Sequence, residues 1–297
     1  MKQRELDIQS NDNTLFTTSQ CNNRCIMCCQ PPLAADDIEE LYQENIKRVM
    51  NAPKGLPMIG ITGGEPTLLG EKLIDLVALV REQLPDTEIH ILSNGRAFVD
   101  GNYAMRLATA GADKLVVGVP FHSDYCQDHD MIAGCKSAYN ETMIGLYNLA
   151  GAGVCIELRI VMNAMNYRRF VPMAQFIHHN LPFVDWIAFM GMEFVGYAVK
   201  HSKNIWVEPK SYIPELCEAV KYLSEWDYDV CIYNIPLCLL PEQYRKFAVK
   251  SISDWKNKFL DFCEECSVKA NCCGLFSTSI KPYQGLKPIL FKVSQDS

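Results

Sequence analysis

Nine of the fourteen cysteines fall into two groups whose spacing suits metal chemistry. Cys21, Cys25 and Cys28 read C-x3-C-x2-C directly after the apolar stretch TLFTTS (14–19). Three thiolates can hold three irons of a 4Fe-4S cube and leave the fourth iron for a ligand that is not protein. Catalytic zinc sites keep an open position in the same way, and structural ones do not. Zinc and inert thiols are the competing readings. Cys29, adjoining Cys28, is badly placed to reach the same cube and is expected to be a packed bystander. Near the end, Cys238, Cys263, Cys266 and Cys272 (C-x24-C-x2-C-x5-C) offer four thiolates, enough to close a second cube. Zinc is the alternative there, since a four-cysteine site staples a small appendage. Cys273 could replace its neighbour Cys272. The scattered Cys126, Cys135, Cys155, Cys217 and Cys231 read as packed thiols.

Other candidates lie in segments that follow apolar runs. Gly63-Gly64-Glu65-Pro66-Thr67 follows MIGIT; adjacent glycines let a ligand approach the backbone, and Glu65 braces the turn. In VCIELRIVM, Glu157 and Arg159 share one strand face while Ile156, Leu158 and Ile160 share the other. With the apolar face under helices, the charged pair points inward, either as a structural ion pair or as a binding group. His122, Asp124, Glu193 and Tyr197 lie in strand-end loops and are candidates to orient substrate or move a proton, with solvated loop residues as the bland alternative. Late in a helix, His178 and His179 read as helix-end cations, and Met190 and Met192 as core or pocket lining.

These residues must be positioned by elements that the hydrophobic pattern reveals. Six short β-branched runs, TLFTTS, MIGIT (58–62), EIHILS (88–93), KLVVGV (114–119), VCIELRIVM (154–162) and WIAFMG (186–191), alternate with longer segments of helical period. Alternating βα units predict a parallel sheet, and right-handed crossovers would curl six of them into a partial (β/α)6, TIM-like barrel. Its chemistry belongs at the carboxyl ends of the strands, where the motifs fall. The expected α/β barrel covers residues 1–200. Residues 201–297, with a helix near 209–226, a strand DVCIYN and the second cysteine group, read as an appendage.

Composition sets the bounds. With 48% hydrophobic and 21% charged residues, the chain resembles a globular protein. The net charge of -7 gives no basic field for a phosphate backbone, so no nucleic-acid partner is expected. No signal-like segment and no run of about 18 apolar residues occurs, which points to the cytoplasm and away from a membrane. In that reducing compartment, metal ligation explains clustered cysteines better than disulfides do.

Together, C-x3-C-x2-C and GGEPT one strand later resemble the radical S-adenosylmethionine (SAM) superfamily. The resemblance implies that Cys21, Cys25 and Cys28 hold a 4Fe-4S cluster whose open iron chelates SAM. It implies that Gly63, Gly64, Glu65 and Pro66 form the turn contacting SAM's amino group, that the Met27 backbone lies near adenine, and that Ser93 and Asn94 in LSNGR form the ribose-contacting turn. Arg159 would then pair with SAM's carboxylate or with Glu157. In such families one electron cleaves SAM to methionine and a 5'-deoxyadenosyl radical, which abstracts hydrogen from a substrate. Cysteine-bearing tails there carry an auxiliary 4Fe-4S cluster. The stretches CNNRCIMCCQPP, GITGGEPTLLGE, ILSNGRAF, NLPFVDWIAFMGMEFVG, YNIPLCLL and SISDWKNKF look more narrowly like the His-Xaa-Ser system maturases of the C type. That likeness implies a small ribosomally made peptide substrate, a partner radical SAM enzyme, and a reductant such as flavodoxin or ferredoxin. A nucleotide- or small-molecule-modifying enzyme, or a metal-stabilised binding scaffold, are the alternatives. The short stretch ahead of the first cysteines leaves little room for a peptide-clamping domain.

Overall fold

The β-branched runs form strands and the periodic segments between them form helices. The computed structural model describes residues 3–10, 12–279 and 282–291. Its main elements are β1 (Thr14–Phe16), α1 (Ile38–Met50), β2 (Met58–Thr62), α2 (Glu71–Gln83), β3 (Glu88–Leu92), α3 (Gly101–Gly111), β4 (Leu115–Pro120), α4 (Cys126–Ala133), α5 (Ala138–Gly151), β5 (Cys155–Val161), α6 (Phe170–Asn180) and β6 (Trp186–Met190). Then come α7 (Tyr197–Lys200), α8 (Ser202–Ile205), α9 (Pro209–Glu225), β7 (Asp229–Tyr233), β8 (Ala248–Val249), β9 (Asn257–Lys258) and β10 (Leu275–Phe276). Half of α4's eight residues are polar and carry no apolar stripe, so its period was not readable in the sequence.

Strands β1 to β8 pair in chain order as one open, parallel sheet, the partial α/β barrel. It has eight strands where the pattern shows six. The expected boundary at residue 200 therefore cuts the sheet, and DVCIYN belongs to it as β7. Among the described residues only β9 and β10, an antiparallel pair of two-residue strands, lie outside.

Alternation sets the two faces. Ile89 and Ile91, Val117 and Val119, Ile156, Leu158 and Ile160, and Val230 and Ile232 join one core cluster with the helices. The intervening residues face the lumen. Register places Arg159 beside Ala188 of β6, which pairs with Cys231 of β7. Glu157 is completely buried, as its inward parity requires. Among the described residues no helix is long and apolar enough to cross a membrane.

Candidate functional site

The loop between β1 and α1 carries the first cysteines and is tied down along its length by backbone bonds. On its entry side Gly64 N donates to Thr18 O (2.6 Å) and Glu65 N to Gln20 O (2.8 Å). A Cβ on Gly63 would stand 2.6 Å from Thr18 O, and one on Gly64 1.9 Å from Gln20 O. The glycine pair is thus required by close approach of the cysteine loop's own backbone. The expectation from the sequence assigned these glycines to the approach of a ligand; the cysteine loop is a second reason for them. In the middle, Arg24 N and Ile26 N donate to Ala133 O and Ile132 O at the end of α4 (both 3.0 Å), and Gly134, at φ +61°, lets Arg24 pass. On the exit side Tyr197 N donates to Cys28 O (2.9 Å), beside Gly196 at φ +58°.

Glu65, Ser93 and Asn94 knit this turn to the end of β3. The Glu65 carboxylate, 1% exposed, accepts from Thr67 N (3.0 Å), Thr67 Oγ1 (2.7 Å), Ser93 Oγ (2.8 Å) and Asn94 N (2.7 Å). Burial still pushes its carboxyl up from the usual range. Asn94 Nδ2 donates to Asn22 Oδ1 (2.6 Å), and its carboxamide reaches the Cys21 thiol. Pro66 opens the turn of 3-10 helix that Glu65 caps. Met27 is buried in a satellite cluster with Ile132, Met192 and Phe194.

Three thiols this close oppose one another's ionisation. Burial, then the charges of Cys28 and Cys21, push the Cys25 thiol up to about 12. Burial, with Cys29 and Cys21 adding charge, pushes Cys28 up to about 11, and burial also raises Cys21. A cationic cluster is what makes all three thiolates favourable together, so the donor set fits an iron-sulfur group. Cys29 is exposed rather than packed, facing the ion pair of Glu193 with Lys256 (3.1 Å).

In the tail, Cys238, Cys263, Cys266 and Cys272 all line one small cavity with Phe259, Phe262, Val268 and Leu275. Cys272 Sγ accepts from Leu237 N (3.5 Å) and Gly274 N (3.4 Å), and Cys266 Sγ from Ile289 N (3.4 Å). A bond from the Cys273 thiol, outweighing burial, helps hold Cys272 down to about 6. Cys273 itself is buried against Ile252 and Phe276 and does not line the cavity, whereas Cys272 does. Among the described residues no three His, Cys, Asp or Glu side chains converge on a single-ion site. Tetrahedral zinc, with Zn–S near 2.3 Å, would need its sulfurs drawn in to about 3.8 Å.

The substrate candidates do not converge. Asp124 is taken by Arg169 in a bidentate pair (2.7 and 2.5 Å). His122 is 2% exposed, and burial and neighbouring His129 hold its imidazole neutral. Neither is open to substrate in this conformation. Glu193 faces Lys256, and Tyr197 stands half-buried at the start of α7. Of the five scattered cysteines expected to be packed, Cys217 is buried, Cys126 is exposed and the rest are half-buried. Likewise His178 does not stand free at its helix end but bonds Tyr222 Oη (2.8 Å) beside Trp226. Two lumen residues were not singled out in the sequence. His90 contacts Glu157, and Gly118 leaves it room; the signal was a histidine at lumen parity in EIHIL.

Residues 15–177, more than half of the chain, match the family model of the radical SAM superfamily. The chain belongs to the radical SAM superfamily. Among solved structures of this fold, Streptococcus suis SuiB bound to S-adenosylmethionine aligns with a TM-score of 0.56 at 14% identity, covering 85% of this chain and 54% of SuiB. The anSMEcpe structure with bound AdoMet and the Kp18Cys peptide aligns at 0.52 and 18% identity, over 72% of this chain and 58% of that one. Escherichia coli HemN, a coproporphyrinogen III oxidase described as a radical SAM enzyme, aligns at 0.55 and 13%, over 72% and 52%. This radical SAM chain spans about half the length of the structures it matches. At these identities the likeness speaks for the fold. No curated protein matches the chain by sequence.

Proposed function

We propose that the chain is a radical SAM enzyme acting on a ribosomally made peptide, with Cys21, Cys25 and Cys28 as the cluster ligands. The observation that carries the reading is the three-thiol loop, pinned against the GGEP turn at the carboxyl end of a parallel barrel. When bound, the cluster supplies the electron that cleaves SAM to methionine and a 5'-deoxyadenosyl radical, which takes hydrogen from substrate. The chain's part is to hold and orient. Glu65 would fix the turn that receives SAM's amino group, Ser93 and Asn94 would contact its ribose, and Arg159 would offer its guanidinium to SAM's carboxylate. Cys238, from the connection between β7 and β8, would hold an auxiliary 4Fe-4S cluster together with Cys263, Cys266 and Cys272, which follow β8.

A peptide substrate is supported by SuiB, solved bound to its precursor peptide SuiA, and by anSMEcpe, solved with bound peptides. The His-Xaa-Ser class, a partner radical SAM enzyme and a flavodoxin- or ferredoxin-type reductant rest on the sequence resemblance. HemN aligns as well as SuiB does, which keeps a small-molecule substrate as the second reading. The test is anaerobic reconstitution with iron, sulfide, SAM and reductant. We expect 5'-deoxyadenosine from the wild type and none from Cys25→Ala. Mass spectrometry of a His-Xaa-Ser peptide co-expressed with each then tests the substrate: a mass change requiring Cys25 supports the peptide reading, and identical masses oppose it. Zinc at both sites without SAM cleavage would sink the enzyme assignment.

A further inference from the structure

The lumen holds a cluster drawn from β3 to β7 around one carboxylate. Glu157 of β5 is completely buried, and its Oε2 lies 2.6 Å from Arg159 Nη1 and 2.8 Å from His90 Nε2 of β3. The contact with His90 crosses β4 because residue 118 has no side chain. A Cβ there would stand 2.9 Å from Glu157 Oε2 and 3.1 Å from Arg159 Cδ. From β7, Cys231 and Tyr233 face the same carboxylate, and Trp186 of β6 lies 6.3 Å from His90.

This arrangement is costly for stability alone. Glu157 Oε1 is buried with no hydrogen-bond partner, and His90 Nε2 approaches Oε2 without the alignment of a hydrogen bond. An unsatisfied buried acceptor costs about 1–3 kcal/mol. What the cluster achieves is restraint of Arg159. Among the described residues that guanidinium makes a single hydrogen bond, to Glu157, and its side chain stays 19% exposed. Most of its five N–H donors therefore remain free, in a planar fork that matches a carboxylate. A side chain already held by one arm loses less rotamer freedom when its ligand arrives.

We propose that Glu157 and His90 are positioning residues that orient Arg159 toward the carboxylate of SAM, with Gly118 as the gap that lets them meet. The proposal rests on the reading of Arg159 as the carboxylate's partner. It is tested on the reconstituted full chain by equilibrium dialysis with labelled SAM, which needs no turnover, alongside iron content and melting temperature. Glu157→Gln and His90→Gln are each expected to weaken SAM binding about 10- to 100-fold, as loss of supporting contacts does at other sites. The loss should fall on SAM affinity rather than on kcat at saturating SAM. Gly118→Ala should act in the same direction without removing a polar group. In an Arg159→Lys background, Glu157→Gln should add nothing further, because it acts through Arg159. Unchanged affinity in Glu157→Gln and His90→Gln chains that hold normal iron overturns the proposal. So do losses that simply add to that of Arg159→Lys. Full SAM affinity in Arg159→Lys alone overturns instead the assignment of Arg159, and the proposal with it.

Discussion

The two cysteine groups solve one problem by opposite means. The front loop takes its shape from the barrel: backbone bonds from the GGEP turn, the end of α4 and the start of α7 fix it. The tail has short 3-10 turns and one pair of two-residue strands around an apolar cavity lined by its four thiols. Its thiols collect backbone N–H donors from Leu237, Gly274 and Ile289, which suits ligands of a closed site. On the proposed reading, metal in the front loop would add chemistry to a site that the scaffold shapes, and metal in the tail would supply much of the fold.

The largest effect that breaks this contrast is in the tail. Cys272→Ala should remove one cluster and leave segment 255–291 open to protease and to fast amide exchange, while β1 to β8 stay protected. Cys25→Ala should also lose about four irons per chain, yet change neither protection pattern. Equal loss of protection in both variants would refute the comparison.

Next comes Gly64→Ala. A methyl group 1.9 Å from Gln20 O cannot be accommodated without moving the cysteine loop. We expect destabilisation of about 4 kcal/mol or more, seen as a lower melting temperature, and loss of front-cluster iron with the tail cluster retained. A smaller effect is expected of Glu65→Gln. The carboxylate is acceptor to four donors, and the amide presents an NH2 where one acceptor oxygen stood. A cost of about 1–3 kcal/mol in denaturant unfolding is expected.

The same contrast explains what could be read from the sequence. C-x3-C-x2-C and GGEPT are local patterns, and the inward parity of Glu157 and Arg159 follows from period-2 alternation in β5. What escaped depends on contacts between distant segments. β7 has only two core residues, Val230 and Ile232, between polar or small neighbours, so it reads as part of the tail until its pairing with β6 is seen. β8, two residues long, has no readable period. Nothing local singles out Gly134 and Gly196, whose close contacts are with residues 24, 28, 29 and 31. Asp124 looked free in its loop because Arg169, its partner, lies 45 residues away.

The smallest effect concerns Asp37, which closes the front loop from outside the barrel. It is the N-cap of α1, but its carboxylate makes no bond to that helix and instead accepts from Thr18 Oγ1 (2.8 Å), Ser19 N (2.9 Å) and Ser19 Oγ (2.5 Å). Burial alone would push its carboxyl up, but the bonds from Ser19 and Thr18 outweigh burial and hold it below the usual range. A folded pKa below the unfolded value, near 3.9, means that the ionised form stabilises the fold. That contribution is complete above the unfolded value and disappears as pH falls through the lowered folded one. Asp37→Asn should therefore cost about 1 kcal/mol at pH 7. The gap from the wild type should begin to narrow at about pH 4 and close once pH falls below the lowered folded value. Because the Asp37 carboxylate bonds Thr18 and Ser19, in the front loop, tail protection should stay unchanged across that range. A gap that persists in acid would show that shape at position 37, rather than charge, secures the loop.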